Sequence, residues 1–267
     1  YNTATRLRIQ QVLLSELGGV EVEFTTLVSE SVLTRLFFVV RLGPDAPSAP
    51  DIARIVAGVS AATRSWEDDF VALVDALPSE QRGVEFSEAY TADYPPDVAV
   101  ADLAMANLLA GHDDLRLSLT EPLDDTDPSD LRLKIISHQT MSLTQLMPHL
   151  SVLGAEVIDE RPYSWDLRGT RVMVYDFGLK LPAGADDPDS WDADGRQRFM
   201  DVVTASWTLR CEADNLNRLV VSAGLDWRQV SWLRGISRYL LQAGVPFSQT
   251  YIATAMNANP TLAAGLV

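Results

Sequence analysis

The sequence predicts an α+β chain: two ferredoxin-like modules of the βαββαβ kind, followed by a helical segment. Three observations carry this expectation. Strand-type and helix-type hydrophobic periodicities alternate through the first two thirds of the chain. The same grouping of strands and helices occurs twice there, and the last third changes to helical periodicity alone, rich in Trp and Arg. The predicted boundaries are 1–78 for the first module (its first strand missing), 79–112 for a linker and helix, 113–190 for the second module and 191–267 for the helical segment.

The first helix runs from Thr5 to Leu17. Leu7, Val12, Leu13 and Leu17 recur at helical spacing until Gly18-Gly19 end the pattern. Val20, Val22 and Phe24 then alternate with Glu21, Glu23 and Thr25, a period of two that marks a half-buried strand. Leu36 to Val40 is a second strand, apolar throughout. A proline-rich loop, Gly43 to Pro50, leads to Asp51 as N-cap of one long amphipathic helix reaching Leu77. Pro78 to Glu88 reads as linker. Tyr90 to Ala110 reads as a helix with Pro95-Pro96 near its first turn.

In the second module, Leu115–Leu119 and Leu131–Ser137 are strands on either side of the aspartate-rich turn Leu123 to Asp130. Leu143, Leu146, Met147, Leu150 and Leu153 mark a helix, with Ser142 as candidate cap and Gly154 as its end. Glu156–Leu167 and Arg171–Leu181 are strands joined at Arg168-Gly169. Three helices then follow, Trp191 to Ala223, Asp226 to Ala243 and Ser248 to Leu266, separated by Gly224 and by Gly244 to Phe247.

Composition excludes several function classes. A formal net charge of −16 repels phosphate backbones and anionic lipid, so neither nucleic acid nor a membrane surface is expected as a partner. One cysteine, Cys211, allows no disulfide within the chain and suits a reducing cytoplasm, the expected location. No apolar run approaches the length of a membrane span. Tyr1 is not methionine, and the chain is expected to begin inside a longer protein. Three histidines, His112, His138 and His149, stand apart from any Cys or acid at ligand spacing, so no metal site is expected. His149, inside a helix, reads as a satisfied imidazole. No GxGxxG or Walker loop is present to cradle a dinucleotide or triphosphate, so neither a bound cofactor nor a catalytic residue is expected within these residues.

Two groups of candidate functional residues remain. The loop Ser137, His138, Gln139, Thr140, Met141, Ser142 joins a strand to a helix N-terminus, whose free N–H groups and positive dipole end suit a carboxylate. Regulatory modules of the ACT type bind amino acids in this region, which makes the loop the candidate effector site. Trp227, Arg228, Trp232, Arg234, Arg238 and Tyr239 form the candidate interface, since Trp, Tyr and Arg dominate buried interface anchors. Glu212, Asn215 and Asn217 are candidates for pinning neighbouring helices. Asp159-Glu160-Arg161 reads as a charge-dense turn making a local ion pair or an interface contact.

Several segments resemble one family in the same order. Gly154 to Tyr163, reading GAEVIDERPY, resembles the LGLRVIDERPY segment of the large bacterial NAD-specific glutamate dehydrogenases. Glu212 to Leu240 is similar to their helical region, and the similarity continues through Gln242-Ala243-Gly244 and Phe247 to Ile252. Glu30-Ser31, Arg35 to Arg41 and Arg64-Ser65-Trp66 resemble further pieces of it upstream. One departure concerns the loop His138 to Ser142, where the family carries a GxPVSLS stretch whose glycine this chain lacks. The resemblance implies a cytoplasmic homo-oligomer that deaminates L-glutamate with NAD, with ACT-like modules and helical segments ahead of the dehydrogenase domain. It carries over no catalytic residue. It also implies partners, namely the remaining domains and sister subunits of the parent, with a small amino-acid effector as a further one. Three functions follow as alternatives: a regulatory or assembly portion of such an enzyme, a free-standing amino-acid sensor docking on another protein, or a hydride-transferring piece in its own right. The missing phosphate loop counts against the third.

Overall fold

The computed structural model describes residues 3–27, 35–44, 46–75, 78–79, 82–124, 126–181 and 191–267. The chain divides into two compact units, residues 1–76 with 95–97, and residues 77–94 with 98–267.

The first unit contains α1 (Thr3–Leu17), β1 (Gly19–Leu27), β2 (Arg35–Leu42), α2 (Ile52–Thr63) and α3 (Trp66–Val74). α1, β1 and β2 lie where the periodicities place them. Gly18 ends α1 at φ +63°, and a Cβ there would also come within 2.9 Å of Ala46 Cα. β1 and β2 pair antiparallel, Val22 opposite Val40 and Phe24 opposite Phe38. The single helix expected from Ile52 to Leu77 is two helices, and its end at Leu77 lies outside the described residues. Asp51 caps α2 through Arg54 N–H as expected, but Arg64 turns extended, and Ser65 and Asp68 form a capping box that starts α3 afresh. Ile9, Ala62, Phe70 and Val74 are buried apolar residues of this unit.

The second unit is a five-stranded antiparallel sheet with helices on both faces. Its strands are β3 (Val84–Glu85), β4 (Leu115–Thr120), β5 (Leu131–Ser137), β6 (Glu156–Leu167) and β7 (Thr170–Lys180), in the order β3-β6-β7-β5-β4. Its helices are α4 (Glu88–Asp93), α5 (Pro96–Asn107), α6 (Leu143–Ser151), α7 (Ala193–Trp207), α8 (Leu219–Ser222), α9 (Trp227–Gln242), α10 (Gln249–Ala258) and α11 (Pro260–Ala264). The expected run strand–helix–strand–strand–helix is seen as β5-α6-β6-β7-α7. The edge position beside β5 is filled by β4, which precedes β5 in the chain, and after α7 the described residues contain helices and turns but no further strand. Val84 and Glu85, expected as linker, pair with Leu167 and Asp166 and extend the other edge. The helix expected from Tyr90 to Ala110 is α4 and α5, broken where Pro95 holds Tyr94 extended and Pro96 opens the second helix.

The tail also has more breaks than periodicity shows. Leu209 at φ +57° follows the end of α7, Asp214 caps a short 3-10 turn at Asn215–Arg218, and Asn259-Pro260 separates α10 from α11. The boundary expected at residue 190 lies outside the described residues. From 191 onward the helices share one core with the sheet: Phe199, Val202, Leu216, Leu219, Val230 and Leu233 close on Leu133, Phe177 and Leu179.

Candidate functional site

All seven residues of β5 are buried, so both faces of this strand are covered. Leu131, Leu133 and Ile135 enter the apolar core with α6 and α7. Arg132 and Lys134 point the other way, beneath α4 and α5, and burial of such side chains is tolerated only when their charges are paired.

The pairing is extensive. Arg132 Nε donates to Asp176 Oδ1 at 2.7 Å, and its terminal nitrogens reach Asp127 Oδ2 at 2.9 Å, Asp159 Oδ1 at 2.9 Å, Asp159 Oδ2 at 3.2 Å and the Asp176 carbonyl at 3.3 Å. Lys134 Nζ and the Tyr90 hydroxyl both donate to Asp102 Oδ2 at 2.6 Å. The Tyr94 hydroxyl donates to Asp176 Oδ2, and the Lys134 ammonium stands 3.7 Å from the centroid of the Tyr94 ring. Arg161 binds Asp127 at 3.1 Å and Asp159 at 3.4 Å. Phe86, Tyr90, Tyr94, Tyr163 and Trp165 enclose one flank with stacked and edge-on rings.

A bulge aims Asp159 into this group. Val157 pairs with Leu179 and Asp159 with Gly178, so Ile158 is an extra residue on β6. Without it Asp159 would face the apolar core. Gly178 completes the fit: its N–H donates to Asp159 Oδ1 at 3.0 Å, and a Cβ there would lie 2.6 Å from that oxygen. Asp159 and Arg161 lie within strand β6, as the strand expected over Glu156–Leu167 has it and not in the charge-dense turn also read there, and Asp159 is held beside the guanidinium of Arg132.

The electrostatics follow from burial and these partners. Burial pushes the Tyr90, Tyr94 and Tyr163 hydroxyls up, reinforced by the carboxylates of Asp102, Asp176 and Asp93 respectively, so all three are neutral donors. Burial also raises Asp102, against the opposing pull of Lys134 and Tyr90. For Asp127, burial is outweighed by the hydroxyl and N–H of Ser129 and by Arg132, which hold its carboxyl at about 2. Beside these charges lies a cavity of about 660 Å³ with apolar walls that include Val98, Ala101, Met105 and Leu123. The arrangement holds fixed charges of both signs against an apolar wall, which suits binding.

The predicted loop is placed differently. Ser137 is buried, its Oγ donating to the Asp114 carbonyl at 3.0 Å and accepting from Gln139 N–H at 3.1 Å. His138 Nδ1 meets the Arg171 carbonyl at 3.1 Å, the Gln139 amide donates to Asp113, and Met141 N–H donates to the Tyr175 hydroxyl at 2.9 Å. Thr140 and Ser142 are exposed, and Ser142 is the N-cap of α6 without a side-chain capping bond. The loop's polar groups are largely taken up by neighbouring parts of the fold, at Asp113, Asp114, Arg171 and Tyr175.

The interface candidates divide. Trp232 and Tyr239 are 61% and 69% exposed, with Ile236 between them on the same stripe of α9. Trp227 is half-buried beneath the guanidinium groups of Arg210 and Arg228, and Arg238 pairs with Glu212. Arg234 departs from the expectation. It is 4% exposed and reaches inward to Asp214 at 2.6 Å and Asn217 Oδ1 at 2.7 Å, with the Asn217 amide donating to the Glu212 carbonyl at 2.8 Å. Asn217 thus pins helices as expected, and Arg234 is its partner. His149 is half-buried and bonded to Ser206 Oγ at 2.9 Å. The half-buried Cys211 thiol is pushed up by burial. Among the described residues no group of three or more His, Cys, Asp or Glu is placed to hold a metal ion, and no helix is long and apolar enough to cross a membrane.

Sequence reasoning missed Arg132, Lys134, Asp102, Asp127 and Asp176. The available signal was Asp176 inside the apolar run Val172–Leu179 and Asp102 between Ala101 and Leu103.

Three stretches match parts of one family. Residues 1–67 match "Glutamate dehydrogenase, ACT2 domain", 114–193 match "Glutamate dehydrogenase, ACT3 domain" and 211–267 match "Glutamate dehydrogenase, helical motif 3". An NAD-specific glutamate dehydrogenase of Mycobacterium tuberculosis (strain ATCC 25618 / H37Rv) is 34% identical over 290 residues, covering 100% of this chain and 18% of that protein. One of Pseudomonas aeruginosa is 34% identical over 278 residues and one of Halomonas elongata 31% over 276, each covering 100% of this chain and 17% of the relative. The chain therefore spans 17–18% of the length of these relatives.

Sheet, flanking helices and matches together define a mixed α and β protein with ACT-like domains and a helical motif. The chain belongs to the family of the large NAD-specific glutamate dehydrogenases. The residues described here do not fit the dinucleotide itself. The sheet of the second unit is antiparallel throughout, and the β5–α6 turn, Ser137 to Ser142, contains no glycine to let a pyrophosphate approach the backbone.

Proposed function

We propose that this chain is a non-catalytic regulatory and assembly portion of an NAD-dependent glutamate dehydrogenase in the cytoplasm, whose parent reaction converts L-glutamate, NAD and water to 2-oxoglutarate, ammonia and NADH. Its two α/β parts are read as two ferredoxin-like modules of the ACT type. The observation that carries the assembly role is the stripe of Trp232, Ile236, Tyr239 and Leu240 on α9. All four are exposed, and they are spaced at i, i+4, i+7 and i+8. Such aromatic surface fits sister subunits or the remaining domains of the parent as partners. The internal bonding of Ser137, His138 and Gln139 favours assembly over effector capture at that loop.

Sedimentation velocity of this chain and of a Trp232→Ser/Tyr239→Ser variant tests the reading. The parent sequence is expected to self-associate with concentration and the variant to remain monomeric, with NADH fluorescence unchanged on titration with either. Identical sedimentation of the two would remove the assembly role. NAD-dependent glutamate oxidation by the chain alone would remove its non-catalytic character.

A further inference from the structure

We propose that α9 docks on itself about a two-fold axis: the stripe centred on Gly235 packs antiparallel against the same stripe of a second copy of this chain. The inference rests on the assembly reading above and gives it a partner and a geometry.

At about 100° per residue, Arg228, Trp232, Gly235, Ile236, Tyr239 and the C-cap Ala243 fall on one side of α9, and all of them are exposed. Gly235 stands three residues after Trp232 and four before Tyr239, so it opens a notch with a large ring on either side. Nothing within the chain asks for glycine there. Its backbone is outside the positive-φ region, and a Cβ would meet nothing within 4 Å. Glycine inside an exposed helix weakens that helix, and what it offers in return is close approach from outside.

The second copy is identified by self-complementarity. In a two-fold contact, if residue i meets j then j meets i. An antiparallel crossing with its axis midway between Gly235 and Ile236 seats Ile236 in the notch at the second copy's Gly235. It sets Trp232 against the second copy's Tyr239, an aromatic pair formed twice. The same operation carries Arg228 to the second copy's Ala243, at the C-terminal end of its α9. Each of these groups lacks what the other has. Among the described residues the Arg228 guanidinium has no carboxylate partner and rests on the Trp227 ring, 4.3 Å from its centroid. The last turn of α9 contains no basic residue, and no charged side chain follows Arg238, so the negative end of the helix dipole is unanswered. Net charge favours the same face. Two chains of formal charge −16 repel one another, yet no acidic residue follows Asp226 in the sequence. The acid-free stripe is where two copies approach at least electrostatic cost.

Sedimentation velocity of the 267-residue chain beside Gly235→Leu, Arg228→Glu and Arg228→Glu/Ala243→Lys tests this. The parent is expected to pass from monomer to dimer with concentration. Gly235→Leu closes the notch and should weaken dimerisation about tenfold or more. Its thermal midpoint should stay at or above the parent's, because leucine favours a helix over glycine, and this separates lost docking from lost folding. Arg228→Glu should also weaken the dimer. Adding Ala243→Lys should restore it, since antiparallel packing sets position 228 against position 243 of the other copy. Association lost in the Trp232→Ser/Tyr239→Ser chain but unchanged in Gly235→Leu would overturn the two-fold packing and leave the assembly reading standing. Failure of Ala243→Lys to rescue, or growth past the dimer into open-ended species, would overturn it equally. Identical sedimentation of the parent and the Trp232→Ser/Tyr239→Ser chain would remove both.

Discussion

Replacing Arg132 with methionine removes a group that touches Asp127, Asp159 and Asp176 together, while keeping similar bulk. Hydrogen bonds to charged groups contribute about 1.5–3 kcal/mol each, so five of them would sum to about 7.5–15 kcal/mol, as much as the whole stability of a domain. Desolvation of the guanidinium and its carboxylates, several kcal/mol per ion, offsets most of that sum. The net loss on removing one partner of such a buried group is therefore about 3–5 kcal/mol. Urea unfolding at pH 7, followed by circular dichroism, should show a lower midpoint at unchanged slope. Arg132→Lys keeps the charge but not the fork that spans three carboxylates, and should lose an intermediate amount. The pH dependence carries a second check. Asp127 and Asp159 both sit below their ordinary value in the folded chain, so on acidification the unfolded chain takes up protons first. Their stabilisation is full above about pH 4 and is lost as the pH falls toward about 2. In Arg132→Met that acid-induced loss should be shallower, because the cation that depresses both carboxyls is gone. A methionine variant within about 1 kcal/mol of the parent at pH 7 would refute the reasoning.

Four further outcomes follow from the same structure. Gly178→Ala places a Cβ 2.6 Å from Asp159 Oδ1 and should cost about 1–3 kcal/mol in urea unfolding, with no such cost for Gly111→Ala, where a Cβ meets nothing within 4 Å. His149 is held below its ordinary value by burial, so its neutral form is the folded one; stability tied to it is full above about pH 6.5 and falls on acidification. His149→Gln should flatten the thermal midpoint between pH 7 and 5. Asp226→Ala removes the capping box of α9 and should lower stability by about 1 kcal/mol by the same assay. Trp232→Ser should leave unfolding within about 0.5 kcal/mol of the parent, because the side chain is 61% exposed.

Local chemistry alone determined much of this protein. The periodicities of α1, β1 and β2, the cap at Asp51 and the turn at Arg168-Gly169 depend on residues within a few positions of one another, and each is legible in one dimension. The family is legible as well, because GAEVIDERPY and the residues after Glu212 keep their types in order. The breaks at Ser65, Pro95 and Asn259 carry signals of the same local kind, overridden in the reading by continuous apolar spacing. Tertiary structure decided the rest. Arg132 lies 44 residues from Asp176, and Lys134 lies 32 from Asp102; which partners they meet depends on strand order, on the bulge at Ile158 and on the cover laid down by α4 and α5. The alternation Leu131-Arg132-Leu133-Lys134-Ile135 reads as a strand with one solvated face, because nothing in those five residues records a second layer of helices. Arg234 shows the same thing on a helix: spacing gives its rotation about the axis, while only the packing of Asp214 and Asn217 against it turns that direction into the interior.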